Sequence, residues 1–372
     1  MAGLYFHIPF CFTRCGYCDF YKTTRLDFMD AFIKTLYSEV AHYKNDFPQQ
    51  LSSIYFGGGT PSLVKGTDFA ELFAVIKRNY HLNRDAEITI EANPDDLTGA
   101  YLDALLELGF NRISIGIQSF HQRDLQEMGR RHNAQQARQA VELAWQSGFR
   151  NIGMDLIYGL PWSSTEHFQQ NLDVFAELPV QHLSAYHLTF EEGTPFHRLL
   201  KKGIYQEVSE EDSLEQYHLL RAYTNKKGFE HYELSNFCRP GFRSRHNSSY
   251  WKGVPYLGFG PGAHSYFGNK RCWNKPDLNL YLQGDWTRIR EEEELKNLDA
   301  YNETLMLGLR TAEGLDLKDI QQRFPNFYAT LVQQSNKWVS GGALILENER
   351  LFCPPDAWFV VDGIIEDLFV SE

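Results

Sequence analysis

The chain reads as an α/β protein built on a parallel sheet, and three observations predict this. Six short runs rich in β-branched and aromatic residues recur between residues 3 and 190, each followed by a stretch long enough for one helix, and the runs share one side-to-side alternation. In order, the runs are "GLYFHIPF", "SSIYFGGG", "AEITIEAN", "RISIGIQS", "NIGMDLIYG" and "HLSAYHLTF". The intervening stretches carry helical spacing and stop signals. The third has Leu102, Leu105 and Leu106 before Gly109, and the fourth has Ala137, Val141 and Ala144 before Gly148. The fifth opens with a capping-box spacing from Ser163 to Glu166, ahead of Phe168, Leu172 and Phe175. Six such units predict a sheet that is either open and doubly wound or curled into a partial (β/α)6 barrel.

Side-chain parity indicates which face does chemistry. Ile113, Ile115 and Ile117 point one way, so Ser114, Gly116 and Gln118 point the other. In the same manner Ile88 and Ile90 oppose Thr89 and Glu91, and Ile152, Met154 and Leu156 oppose Gly153 and Asp155. The apolar parity suits a helix layer. The opposite parity places Glu91, Gln118 and Asp155 near the C-terminal ends of their strands, where α/β sheets and barrels gather their ligands. A single polar residue of this kind is more often a hydrogen-bonded core group; three at equivalent positions argue for a site. His187, on the sixth run, reads as core.

The rhythm breaks near residue 200, which predicts three segments: 1–200 as the β/α core, 201–295 as an extension, and 296–372 as a small C-terminal domain. The extension is rich in Gly, Asn and aromatic residues. It ends in an acidic stretch, "REEEELKNLD", which reads as a solvated boundary. After it come about three helices and a hairpin, "GALILENERLFC", turning at Asn348 and Glu349, a winged-helix-like α+β order read here as a packing domain.

Composition bounds the setting. The length, 372 residues, allows about two to three domains, and the net charge of −12 argues against a nucleic-acid partner. The N-terminal "MAGLYFHIPF" lacks a basic segment before its apolar run, and no stretch approaches the roughly 20 apolar residues of a membrane span, so a cytoplasmic protein is expected. Six cysteines in so long a chain are no disulfide framework. Three crowd into "CFTRCGYC" as Cys11, Cys15 and Cys18, while Cys238, Cys272 and Cys353 are scattered.

A C-x3-C-x2-C loop offers three thiolates where closed zinc and iron–sulfur sites want four ligands. A zinc site completed by His7, and inert core cysteines, are alternatives. The triplet directly follows the first strand, at the mouth of the sheet, where a [4Fe–4S] cluster with one open iron could carry chemistry that a closed one cannot.

With "YFGGGTP" after the second strand, this loop resembles the radical S-adenosylmethionine (SAM) superfamily, in which three cysteines hold the cluster and SAM binds the fourth iron. Gly57, Gly58, Gly59 and Thr60 would then let backbone approach the methionine end of SAM. The motifs "EANPDDLT", "MGRRHNA", "GMDLIYGLP" and "LSAYHLTFEEGTPF" extend the resemblance to the coproporphyrinogen dehydrogenase-like branch. By that resemblance the core is a partial radical SAM barrel, and Tyr5, Gly58, Gly59, Thr60, Glu91, Gln118, Arg130 and Asp155 contact SAM. Arg130 is expected to meet the methionine carboxylate, and Arg131 to face solvent. Reductive cleavage of SAM to a 5′-deoxyadenosyl radical is the chemistry the superfamily implies.

The branch contains an oxygen-independent coproporphyrinogen III oxidase and the haem chaperones of the HemW type. The oxidase pattern has a further cysteine where this chain has Phe20, and a longer segment ahead of the first strand. "HNSSYW" fits the H-N-x-x-Y-W motif of the chaperones, which implies haem as cargo near His246, Asn247, Tyr250 and Trp251, with His246 as a candidate iron ligand. The resemblance therefore implies a haem chaperone carrying a [4Fe–4S] cluster and SAM. Its expected acceptors are haem-requiring proteins, respiratory enzymes at the membrane among them. The alternative is a coproporphyrinogen III dehydrogenase that makes protoporphyrinogen IX.

Overall fold

The computed structural model describes residues 2–45, 47 and 50–371. The six predicted runs form β1 (Ala2–Ile8), β2 (Gln50–Gly58), β3 (His81–Ala92), β4 (Arg112–Gln118), β5 (Ile152–Tyr158) and β6 (His182–His187). They pair in chain order, all parallel. Between them lie helices α1 (Met29–His42), α2 (Gly66–Asn79), α3 (Gly99–Leu108), α4 (Gln122–Met128), α5 (Ala134–Ser147) and α6 (Thr165–Glu177). The sheet curls without closing, as a partial barrel.

The apolar parity packs on the helices. Leu4, Phe6, Phe56, Ile90, Ile113, Ile115 and Met154 are fully buried against Leu36, Phe69, Leu102, Leu105 and Val141. Each such side chain contributes about 1.5–3 kcal/mol of burial. Helix ends are set locally: Thr98 accepts from the Tyr101 N–H, and Gly109 closes α3 at φ +100°. Asn133 and Gln136 form a reciprocal capping box on α5. The cap of α6 is Ser164, one residue past the expected Ser163, and its hydroxyl accepts from the His167 N–H.

The stretch 201–295 is continuous with the sheet rather than apart from it. Beyond α7 (Pro195–Lys201) and α8 (Glu210–Lys226), it adds β7 (Glu230–Glu233) and β8 (Asn236–Cys238) antiparallel beside β6. After α9 (Arg245–Trp251), strand β9 (Tyr256–Phe259) crosses to the opposite edge and pairs parallel to β1. Then β10 (His264–Phe267), β11 (Lys270–Asn274) and β12 (Arg290–Glu294) continue outward, antiparallel. The acidic stretch expected as a linker is thus the edge strand β12. Its glutamates face solvent and pair with Lys270 and Lys275, which blunts an open edge.

The C-terminal region carries helices Asn297–Leu309, Leu317–Arg323 and Pro325–Ser340, and strands β13 (Leu315–Asp316), β14 (Ile345–Glu347) and β15 (Arg350–Phe352) in a small antiparallel sheet. Asn348 and Glu349 both take positive φ, as a two-residue hairpin turn requires. A last helix, Val361–Leu368, buries Val361, Ile364, Ile365 and Leu368. Among the described residues no helix is long and apolar enough to cross a membrane.

One buried carboxylate ties the crossed-over strands to the barrel. Glu39 of α1 is fully buried and accepts from the Gly260 N–H (2.8 Å), Asn274 Nδ2 (2.6 Å) and the Tyr281 hydroxyl (2.5 Å). Glu39→Ala removes the acceptor of three buried donors, of which Asn274 Nδ2 keeps a second bond to Gly260 O (2.9 Å), and each N–H or O–H left unpaired costs about 1–3 kcal/mol. Urea denaturation of this variant should show a loss of about 3 kcal/mol or more, with the Glu39→Gln variant intermediate.

Candidate functional site

At the C-terminal ends of β1–β6 a cavity of about 410 Å³ opens. The inward parity builds its wall. Strand register sets Glu91 beside Ser114 and Ser114 beside Gly153, and one step nearer the mouth sets Gly116 beside Asp155 and Asp155 beside Ser184. Glu91, Gln118 and Asp155 all line the cavity, together with Cys11, Cys15 and Cys18.

The cysteine loop is held by its neighbours rather than by structure of its own. Its base closes through Thr23 N–H to Pro9 O (2.7 Å) and Cys11 N–H to Thr23 O (2.9 Å). At its middle, the Gly16 N–H donates to Met128 O (3.0 Å) and Gly16 O accepts from the Phe196 N–H (2.9 Å). A Cβ on Gly16 would lie 2.1 Å from the Phe196 ring. Phe196 in turn sits in a separate apolar cluster with Leu125, Met128, Ile157, Leu160 and Leu188.

The three thiols meet polar partners of the right kind for thiolate. Thr60 Oγ1 donates to Cys11 Sγ (3.4 Å), Arg130 Nη1 lies 3.5 Å from Cys15 Sγ, and Lys22 Nζ donates to the Cys18 carbonyl (2.5 Å). Burial raises the Cys11 and Cys18 thiols above the usual range, against the opposing pull of Thr60 on Cys11 and Lys22 on Cys18. Bare, they stay protonated at neutral pH, and ionisation needs a positive centre between them. Among the described residues no three His, Cys, Asp or Glu side chains are arranged around a single metal ion. His7 turns away: its Nε2 pairs with Tyr21 O (2.8 Å) and its Nδ1 with the Tyr5 hydroxyl (3.1 Å). Cys11, Cys15 and Cys18 all line the one cavity, and three thiolates are a ligand set an iron–sulfur cluster takes.

Arg130 Nη2 donates to Asn93 Oδ1 and Gly116 O (both 2.7 Å), and its Nε is buried with no partner. No carboxylate pairs with this guanidinium among the described residues, so an anionic ligand group fits beside it. Arg131, expected in solvent, is instead ion-paired with Asp95 (2.8 Å) and Asp96 (2.7 Å) and stacks on Phe12. Across the cavity Glu91 accepts from the Tyr55 hydroxyl (2.7 Å) and the Gly58 N–H (3.2 Å). Asp155 accepts from Ser114 Oγ (3.3 Å). Burial, and then Asp155 nearby, push Glu91 up to about 7, and burial raises Asp155. Gln118 holds φ +68° where its strand slips register against β5; among the described residues the other non-glycine positive φ values are in the hairpin turn. A strained residue on a cavity wall is a mark of a ligand site.

The expected residues fall in different places. Tyr5 packs against Tyr55 and His246, and its hydroxyl pairs with His7 Nδ1. Gly58 and Gly59 line the cavity, but their lack of side chains is required by the protein itself. A Cβ on Gly58 would lie 2.6 Å from the His7 ring, and one on Gly59 2.7 Å from Ile8 O. His187 is on the cavity wall rather than in the core, its Nε2 paired with Ser213 Oγ (3.0 Å). Asn93, Tyr17, Tyr55 and Tyr186 escaped the sequence reading. Asn93, in "EAN" directly after β3, was the one with a positional signal.

The H-N-x-x-Y-W residues lie at the opposite, N-terminal end of the barrel. His246 is fully buried, with Nδ1 2.8 Å from Ser53 Oγ and Nε2 2.8 Å from the Tyr250 hydroxyl. Both ring nitrogens of His246 are thus hydrogen-bonded within the protein. Glu87 caps α9 by accepting the Arg245 (3.0 Å) and His246 (2.9 Å) N–H groups, while the Asn247 N–H donates to Ser244 Oγ (3.3 Å). Trp251 lines a second cavity of about 720 Å³ between the barrel floor and the C-terminal helices. The motif plugs the barrel.

Because the folded Glu91 titrates above its unfolded value, its contribution to stability is full below about pH 4.5 and is lost as pH rises through about 7. Between those limits the ligand-free protein should lose roughly 1–3 kcal/mol that Glu91→Gln does not lose. Denaturation midpoints of the two proteins across pH 5–8 check this; parallel pH profiles would remove Glu91 as the cause.

The radical SAM superfamily profile matches residues 5–175, and the HemN C-terminal domain profile matches residues 295–360. "Heme chaperone HemW" of Lactococcus lactis is 32% identical, over 99% of this chain and 97% of that protein. "Heme chaperone HemW" of Mycobacterium tuberculosis is 36% identical, over 98% of this chain and 94% of that protein. The solved coproporphyrinogen III oxidase (HemN) from Escherichia coli shares the fold, with a TM-score of 0.85 at 24% identity over 99% of this chain and 89% of that one. Sequence similarity of this extent, on a partial barrel with a three-cysteine mouth, means that the chain belongs to the HemW family of the radical SAM superfamily.

Proposed function

We propose that this protein binds haem and passes it to haem-requiring proteins, acting as a cytoplasmic carrier that holds a [4Fe–4S] cluster and SAM at the barrel mouth. Cys11, Cys15 and Cys18 would hold the cluster. Gly58, Gly59, Thr60, Glu91, Gln118, Arg130 and Asp155 would hold SAM. The observation that carries the cofactor part is Arg130, a half-buried guanidinium without a carboxylate, its Nε unpartnered, set between Cys15 and the carboxylate-bearing wall. Nearly full-length similarity to relatives named as haem chaperones supports the haem part.

Bound there, the cluster supplies one-electron chemistry to SAM. The chain's own residues position and shield. Arg130 orients an anionic group, and Asp155 and Glu91 offer acceptors to ammonium or hydroxyl donors. The apolar cluster around Phe196 keeps water from the back of the cysteine loop. Phe20, where the oxidase pattern has a further cysteine, favours the carrier over the decarboxylase.

Anaerobic reconstitution should give about four irons per chain and an electron-paramagnetic signal that changes on adding SAM. Alanine at Cys11, Cys15 or Cys18 should abolish iron uptake, and serine at Cys238, Cys272 or Cys353 should not. Asp155→Ala should weaken SAM binding with the iron retained. The reconstituted protein should show a Soret band on haem titration and leave coproporphyrinogen III unchanged with SAM and reductant. Decarboxylation without haem binding would overturn the reading.

A further inference from the structure

We propose that Arg112 is a positioning residue that couples the cofactor site at the mouth of the barrel to helix α9 at its floor. This rests on the reading that SAM occupies the mouth. Arg112 opens β4 on the inward parity, level with Thr89 of β3, and is fully buried. Gly153 on β5 makes room for it, since a Cβ there would lie 3.2 Å from Arg112 Nη2 and 3.2 Å from Ser114 Oγ. The guanidinium therefore lies deep in the lumen, below Asp155, which is the next inward residue of β5 toward the mouth. Among the described residues its Nε and Nη1 have no hydrogen-bond partner. A buried cation without fixed bonds is held by the charges around it.

Those charges serve opposite ends of the molecule. Burial opposes the charge on Arg112, and Glu87, then Tyr55, Tyr232 and Asp155, outweigh it. Glu87 belongs to the floor: its two oxygens accept the Arg245 and His246 N–H groups and so hold the first turn of α9. Asp155 belongs to the mouth, where it lines the cysteine-bearing cavity. Burial raises Asp155 and Glu91, and the charge of Arg112 pulls against that rise at both. The other groups facing the guanidinium do not compete for it. Burial, then Arg112 itself, push His182 and His246 down, so both imidazoles are neutral, and His182 Nε2 is paired with the Tyr232 hydroxyl (2.8 Å). Burial keeps Tyr55 and Tyr232 protonated. One cation is thus shared by two carboxylates, and its pull on either depends on what else satisfies the other. A ligand that brings hydroxyl or ammonium donors to Asp155 leaves the guanidinium to Glu87, and Glu87 then holds α9 more firmly. By linkage, whatever steadies α9 raises affinity at the mouth by the same factor.

The test uses the full chain, iron-reconstituted, with amide hydrogen exchange of residues 243–251 read by mass spectrometry with and without saturating SAM. In the wild type SAM should slow exchange of this segment by about fivefold, the lower end of ordinary coupling between sites. Asp155→Asn keeps the shape and removes the charge on the mouth side; it should slow exchange there before SAM is added and leave little further response. Arg112→Met should exchange faster and lose the SAM response while SAM is bound, and Arg112→Lys, which keeps the charge, should recover part of that response. A purely structural Arg112 would instead raise exchange equally in both states and leave the SAM-dependent difference intact, which overturns the coupling. Where Arg112→Met does not fold, the Asp155→Asn comparison decides: exchange in α9 indifferent both to SAM and to Asp155→Asn overturns the proposal. A wild-type protein that binds no SAM in equilibrium dialysis overturns the cofactor reading itself, and Asp155→Asn without SAM still tests the link.

Discussion

The pairing register of six parallel strands is the constraint on which the rest of the molecule depends. With a side-chain period of two, a strand that buries isoleucine and phenylalanine against helices must send its alternate residues inward. Here those alternates are polar in nearly every strand: Ser53 and Tyr55, Thr89 and Glu91, Ser114 and Gln118, Asp155, Ser184 and Tyr186. A one-residue slip of β3 would put Glu91 among the helices and Ile90 in the cavity. Register thus delivers three polar groups to one rim from three strands that share no local sequence.

The cysteine loop depends on this frame at one remove. Its base is bonded to itself, but its position comes from the helices after β4 and β6, through Met128 at the end of α4 and Phe196 at the start of α7, both bonded to Gly16, and from the turn after β2, where the Gly59 N–H donates to Ile8 O (2.8 Å). Glycine is demanded at Gly16, Gly58 and Gly59 because protein atoms already occupy the space of a side chain. The glycine-rich turn that resembles a SAM contact therefore acts first as a joint between β1 and β2. Glu91 serves the same joint, since its Oε2 accepts the Gly58 N–H.

The sequence made the core legible because strong alternation survives in a single chain: all six strands, their order of appearance and the inward positions of Glu91, Gln118 and Asp155 follow from residue types alone. The hairpin at Asn348 and Glu349 was legible for the same local reason. What escaped depends on long-range pairing. Nothing in "YLGF" tells that β9 returns across the barrel to lie beside β1, and a run of four glutamates reads as solvated whether it is a linker or an edge strand. Asn93, Tyr17 and Arg131 escaped because their roles are set by partners more than 30 residues away.

The H-N-x-x-Y-W residues also carry structure. Ser53 and Tyr250 are hydrogen-bonded to the two ring nitrogens of His246, and burial, then Arg112, push its pKa down to about 3. A neutral, doubly bonded imidazole under Tyr5 and Tyr55 is a stopper for the narrow end of an open barrel. Closing that end leaves the cysteine-lined mouth as the way in from the C-terminal side. On that face, exposed phenylalanine rings replace what would otherwise be polar rim, so the plug and the mouth are two halves of one arrangement.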